Sequence, residues 1–207
     1  MSPAEISAGP ITTPRFTFHP APLAGVWQVL RSPLADARGF FSRFYCAQEF
    51  AAVGITTPLA QINHSLSRLR GTVRGLHFQH PPHAETKVVT CIAGRIFDVA
   101  VDLRRHSPTF LHWFGAELSA ENQQSLVIPP GCAHGYQTLS DDAQIIYLVT
   151  AAYSAQAEDG VNPFDPAVGI RWPEAVGEVS ARDAGREMLK LAEYAGLGDV
   201  APDARDE

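Results

Sequence analysis

Residues 87–104 read KVVTCIAGRIFDVAVDLR. Val88, Thr90 and Ile92 alternate with Val89 and Cys91, the period of two expected of a strand with two unlike faces. Gly94-Arg95 supplies a turn, and IFDVAVDL continues in β-branched and apolar residues. Outward from this segment the same signature recurs in QSLVIP (124–129) and QIIYLVTAAY (144–153). Those two runs flank PPGCAHG (129–135), whose Pro and Gly mark a tight turn. Short strands at even spacing predict an all-β fold, a closed or sandwiched antiparallel sheet of barrel or jelly-roll type. Helical signals are few. FYCAQEFAAVG (44–54) reads as one short helix. ARDAGREMLKLAEYAG (181–196) reads as a C-terminal helix with Met188, Leu189, Leu191, Ala192 and Tyr194 on its apolar side. The expected organisation is an N-terminal extension over 1–22, partly flexible, one β domain over 23–185, and a C-terminal helix and tail over 186–207.

Composition narrows the function. At 207 residues the chain can bury one sizeable core. A net charge of −6 argues against a nucleic-acid surface, which needs a basic stripe. No apolar run reaches the length of a membrane span, and MSPAEISAGPITTPRF lacks the charged-then-apolar pattern of a signal peptide. Cys46, Cys91 and Cys132 follow no metal or disulfide spacing, so reduced thiols and a cytoplasmic location are expected.

The chemistry concentrates in RGLHFQHPPHAETK, residues 74–87. One reading is a metal site. His77, His83 and Glu85 share this segment, and His134 follows the later Pro-x-Gly turn, so a β-barrel could bring them together in its mouth. That spacing resembles the two metal motifs of the cupin superfamily, but Gln79 stands where the first motif carries its second histidine. The other reading is acid–base chemistry. A histidine on a strand facing a cavity suits a general base, Arg74 suits phosphate or carboxylate, and Lys87 suits a developing oxyanion. His80 and His83, beside Pro81 and Pro82, are expected on an exposed loop.

Several further motifs stand in one order: VRGLHFQ, Lys87, GRIFDVAVDLRRHSPTF, LSAEN, IPPGCAHGY, IIYLVTAAYS, IRWP and SARD, with DARGFFSRF and QINHSLS upstream. From about residue 30 to residue 185 the chain thereby resembles the dTDP-4-dehydrorhamnose 3,5-epimerase family. The resemblance implies a cupin-type jelly roll that works without metal or organic cofactor. It also implies a homodimer that exchanges strands, and a substrate that is a 4-keto-6-deoxy sugar on a nucleoside diphosphate. By the same resemblance His77 is the base that removes the proton beside the C4 ketone, and Asp183 orients it. Tyr147 is the acid on the opposite face, Lys87 lies near the ketone oxygen, and His134 is a second active-site histidine. Arg38, Arg74 and Tyr153 hold the nucleotide, Gln61 and Asn63 line the cavity, and Arg182 reaches the pyrophosphate. Read without the resemblance, Ser180 and Asp183 are instead the ends of a helix capping box.

The chain departs from the family's pattern at Leu34, Arg43, Glu85, Leu148 and Pro163-Phe164. Leu34 and Arg43 leave the identity of the nucleobase open, and Glu85 adds negative charge near the sugar. The acid–base set is complete, so the expectation is an active epimerase with an altered substrate, from an antibiotic or surface-polysaccharide sugar pathway. The competing expectation from another class is a cupin metalloenzyme, a dioxygenase or isomerase, with metal at His77, His83, Glu85 and His134.

Overall fold

The computed structural model describes residues 9–198. In chain order the strands are β1 (Ile11–Thr12), β2 (Phe16–Pro20), β3 (Trp27–Arg31), β4 (Leu34–Asp36), β5 (Gly39–Phe41), β6 (Gln61–Ser67) and β7 (Val73–Gln79). They continue with β8 (Lys87–Ala93), β9 (Arg95–Asp102), β10 (Trp113–Ser119), β11 (Gln124–Ile128), β12 (Cys132–Thr138), β13 (Ala143–Val149) and β14 (Glu158–Gly160). Two short α-helices, α1 (Ala47–Phe50) and α2 (Ala181–Ala184), and a 3-10 turn over Ala51–Val53 complete the described set. Seven strands form one sheet in the order β1-β2-β3-β11-β8-β13-β6, and five form another in the order β10-β9-β12-β7-β14. Every pairing of named strands is antiparallel, and the two sheets face each other as a jelly roll. Strands β4 and β5 pair only with each other.

The turn at Gly94 does not close a hairpin. The strands on either side of it lie in different sheets, so this is the corner where the chain crosses the sandwich. Gly94 sits there at φ +69, a backbone region that favours glycine.

Alternation along the strands sorts the apolar residues into three clusters. Val89, Cys91, Leu126 and Ile145 from one sheet meet Ile96, Ala100, Leu118 and Tyr136 from the other, filling the interior. The outer face of the larger sheet presents Phe16, Phe18, Val88 and Leu148, which Phe50 and Ile55 cover. Phe50 meets Phe16 and Phe18 edge-on, with centroids 4.9 and 5.1 Å away. The smaller sheet buries Leu76, Phe78, Val99 and Val101 under Val161, Val168, Trp172 and Leu189. On β13 this alternation puts Ile145, Tyr147 and Val149 inside and Leu148 outside. Leu148 therefore packs under α1 and has no access to the interior.

Two expectations change. Residues 11–20 are not a loose extension but the outer strands β1 and β2, held because Phe16 and Phe18 are fully buried. The C-terminal helix is confined to the four residues of α2. Asn162 explains the stop, since its Nδ2 donates to the carbonyls of Ala184 and Arg186, at 3.2 and 2.8 Å. Asp165 accepts the Leu189 N–H. Backbone groups that a continuing helix would pair internally are thus taken by side chains of the 162–165 loop. Leu189 and Tyr194 pack on the smaller sheet from an irregular path. Residues 199–207 of the expected tail lie outside the described residues.

Candidate active site

At one end of the sandwich the inward side chains turn from apolar to polar and line a cavity of about 500 Å³. The smaller sheet contributes Arg74, His77, Gln79 and His134, and the larger contributes Gln61, Asn63, Lys87 and Tyr147. His77 on β7 and His134 on β12 are direct cross-strand neighbours. Tyr147 and Asn63 are likewise opposite each other on β13 and β6. The histidines and the tyrosine thus approach the cavity from opposite sheets.

His77 Nε2 lies 2.7 Å from Asp183 Oδ1. Asp183 Oδ2 accepts the Gly75 N–H at 3.3 Å, while the Asp183 N–H donates to Ser180 Oγ at 3.0 Å. Of the capping box only the Ser180 half forms: the backbone N–H of Asp183 is capped, while its carboxylate turns to His77 and Gly75 instead of back to the Ser180 N–H. Gly75 permits this packing. Its φ is +125, and a Cβ there would fall 2.5 Å from Gly135 Cα on the neighbouring strand. Burial lowers the pKa of His77 below its ordinary value, and the hydrogen bond and charge of Asp183 oppose that shift without cancelling it. Burial alone would raise Asp183, but hydrogen bonds from His77, Gly75 and Ser180 hold it below the usual carboxylate range. Near neutrality the pair is thus a neutral imidazole and a carboxylate. A carboxylate only accepts, so Nε2 carries the proton and Nδ1 keeps the lone pair. That is the state a general base needs.

Tyr147 is half-buried, and burial raises its pKa, so it stays a phenol able to give up a proton. Lys87 Nζ donates to the His77 carbonyl at 3.1 Å and lies 2.9 Å from Glu85 Oε1. His134 Nε2 pairs with Asp98 Oδ1 at 2.7 Å, and burial raises the pKa of Asp98. Tyr136 OH meets Ser67 Oγ at 3.1 Å deeper in the cavity wall. At the rim, Tyr153 OH donates to Glu158 Oε2 at 2.8 Å, and Arg182 pairs with the same oxygen at 2.9 Å. The Tyr153 N–H is accepted by Gln61 Oε1 at 2.6 Å.

The structure brings His77, Lys87, Tyr147, His134, Arg74, Gln61, Asn63 and Tyr153 to one cavity and places Asp183 behind His77. Arg182 is outside the lining, tied to Glu158. Arg38 is not brought there either, because it lies on the β4–β5 hairpin, paired with Asp36 and with 89% of its side chain exposed. Three of the four candidate metal ligands, His77, Glu85 and His134, line the cavity, but they form no ligand set. His83 is exposed, Glu85 is bound to Lys87 and Gln79, and the two histidines are each engaged by an aspartate. Among the described residues no group of three or more His, Cys, Asp or Glu could hold a metal ion. Asp98 and Glu158 escaped the sequence reading. Asp98 did leave a signal, an acid in the inward phase of β9 between Ile96 and Ala100. Of the departures, Leu148 faces away from the cavity, and Arg43 is bound to Glu49 at 3.1 Å. Pro163 and Phe164 are outside the lining, and Glu85 alone is inside it.

A jelly roll whose cavity sets a neutral histidine, paired with an aspartate, across from a half-buried phenol has the acid–base set of an isomerase that moves protons beside a carbonyl. The comparisons with known proteins agree. The model of the dTDP-4-dehydrorhamnose 3,5-epimerase family matches residues 20–191. A dTDP-4-dehydrorhamnose 3,5-epimerase of Salmonella typhimurium is 45% identical over 159 residues, which is 76% of this chain and 86% of the relative. A dTDP-4-dehydrorhamnose 3-epimerase of Streptomyces niveus is 40% identical over 180 residues, 86% of each chain. Among solved structures, dTDP-6-deoxy-D-glucose-3,5-epimerase of Legionella pneumophila, in complex with dTDP-4-keto-L-rhamnose, superposes with a TM-score of 0.82. Its identity is 35%, over 88% of this chain and 97% of the other. The chain belongs to the dTDP-4-dehydrorhamnose 3,5-epimerase family.

Proposed function

We propose that the protein epimerises a 4-keto-6-deoxy sugar carried on a nucleoside diphosphate, at C3, C5 or both. The observation that carries this reading is the His77–Asp183 pair on one sheet facing Tyr147 on the other across a single cavity. His77 Nδ1 removes the proton next to the C4 ketone and becomes an imidazolium, which Asp183 stabilises. Lys87 faces the oxygen that gains charge as the enolate forms. Tyr147 returns a proton to the opposite face of the same carbon and is left a phenolate. Proton exchange with solvent resets both groups, and no step calls for a metal or an organic cofactor. Arg74, Tyr153 and Arg182 are the groups for the diphosphate, with Arg182 and Tyr153 released from Glu158 when the ligand arrives. The test is a panel of 4-keto-6-deoxy sugars on thymidine, uridine and guanosine diphosphates, with NMR identification of the inverted carbon. One member of the panel should yield an inverted sugar. Binding of the whole panel with no inversion would leave only a nucleotide-sugar binder.

The acid limb of the reaction follows from His77. The base works only when neutral, so activity falls as pH drops through its pKa, which burial places below the ordinary 6.5. Asp183→Asn removes the anion that opposes this shift. The expected result is a limb at still lower pH, with the plateau reduced about 10²-fold or more. A pH–rate profile of solvent deuterium wash-in measures both, and a limb that moves up contradicts the pairing.

Assembly as a homodimer belongs to the same proposal. Leu34, Phe40 and Phe41 on the β4–β5 hairpin are 52%, 64% and 60% exposed, an apolar finger with no cover from the other described residues. Strand β6 ends the larger sheet and exposes Ile62 on an unpaired edge. Exchange of the hairpin would cover these residues and carry Arg38 to the partner's cavity. Phe40→Glu with Phe41→Glu is therefore expected to convert a dimer into a monomer in sedimentation velocity and to weaken nucleotide binding. A monomeric parent protein would contradict it. A cytoplasmic location and a role in deoxysugar biosynthesis are the setting this substrate implies. No described helix is long and apolar enough to cross a membrane.

A further inference from the structure

Glu85 lines the cavity, yet neither the acid–base set nor the diphosphate contacts give it a role. Its Oε1 lies 2.9 Å from Lys87 Nζ, with 6% of the glutamate side chain and 11% of the lysine's exposed. Oε2 accepts from Gln79 Nε2 at 2.9 Å. Gln79 is itself clamped: Nε2 also meets the His83 carbonyl at 2.9 Å, and Oε1 accepts the Ser154 N–H at 2.6 Å. Both oxygens of Glu85 therefore have fixed partners. Lys87 Nζ has a second partner in the His77 carbonyl. An ammonium carries three N–H groups, so one is left for the cavity.

Burial works against this ammonium, because loss of hydration favours the neutral amine. The titratable and charged groups that share the cavity with Lys87 or act on it are Arg74 and His77 on β7, Asp98 on β9, Cys132, His134 and Tyr136 on β12, Tyr147 on β13, Tyr153 beyond it, and Glu158 on β14. Asp98 is engaged by His134, and Glu158 by Tyr153 and Arg182. The carboxylate in contact with Lys87 is that of Glu85. We propose that Glu85 is a positioning residue, which keeps Lys87 charged and aims its remaining N–H at the oxygen of the reacting carbonyl. The last clause rests on the proposed epimerisation; the charge state of Lys87 does not.

The sequence offers a clean readout, because it contains two lysines, Lys87 and Lys190. Lys190 is 69% exposed and serves as an internal reference. With lysine labelled at Cε, an NMR pH titration follows both signals in the whole chain. In the parent protein Lys87 should titrate at or above Lys190. In Glu85→Gln, which keeps the side-chain shape, Lys87 should titrate about one pH unit lower or more, with Lys190 unmoved. Equal titration of Lys87 in both proteins overturns the proposal. Should the variant not fold, Lys87 titrating well below Lys190 in the parent protein overturns it as well.

The second measurement is the alkaline limb of deuterium wash-in, taken in Tyr147→Phe so that the phenol does not contribute. Adding Glu85→Gln should move that limb down by the same interval. Exchange with an unmoved limb sinks the positioning role. An absence of exchange in the parent protein sinks the proposed reaction instead, and leaves the NMR result standing.

Discussion

His77→Asn is expected to lower the rate of proton abstraction by about 10³-fold or more, at the upper range of what a general base contributes. Asparagine is the informative replacement because its amide can still donate to Asp183, which otherwise would be left with one fewer partner in a buried site. The cavity then keeps its shape and the nucleotide its contacts. Deuterium wash-in at C3 and C5 should disappear while affinity for the nucleoside diphosphate changes little. The reason lies in the geometry around the ring. Asp183 holds the imidazole proton at Nε2 and leaves the Nδ1 lone pair for the substrate. His134 stands beside His77 on the adjacent strand and is likewise paired with an aspartate, but 10% of its side chain is exposed against 36% for His77. Wash-in that survives in His77→Asn at the parental rate would move the base elsewhere.

Tyr147→Phe should separate two processes that His77→Asn removes together. The base is intact in this variant, so the proton still leaves and deuterium still enters on the His77 face. Delivery to the opposite face loses its donor, and net inversion should fall about 10²-fold or more, well beyond any fall in wash-in. The substitution leaves Phe in a half-buried position already packed against the interior cluster, so the fold should tolerate it. Thermal unfolding checks that point. Equal loss of inversion and exchange would remove Tyr147 from the role of acid.

The sequence speaks most clearly where chemistry follows strand parity. Tyr147 shares the inward phase of β13 with Ile145 and Val149, and Lys87 shares that of β8 with Val89 and Cys91, so alternation alone places both inside. The residues alone leave His77 open between a general base, a metal ligand and a core histidine, and the resemblance favours the base. Asp183 shows why local reading was insufficient. Its capping signal is correct, but the use of its carboxylate depends on a strand more than a hundred residues earlier in the chain. The C-terminal helix failed for a related reason. Met188, Leu189, Leu191 and Tyr194 have helical spacing, yet Asn162 and Asp165 capture the backbone groups that would extend α2. Arg38 was placed at the nucleotide by resemblance, whereas within one chain it sits on an isolated hairpin. In the proposed homodimer its use depends on a second copy, which no reading of a single chain's contacts supplies. Glu85 was legible as a departure but not as a partner, because the two-residue spacing to Lys87 says nothing of which way each side chain turns.

Exchange of a proton by His77 and Tyr147 through opposite faces of a keto sugar is the step on which the proposed function rests. It is tested most directly by proton NMR of the parent protein with a 4-keto-6-deoxy sugar nucleotide in deuterium oxide. The ring-proton signal next to the ketone should disappear as the inverted, deuterated sugar accumulates. A bound sugar nucleotide whose ring protons stay intact would contradict it.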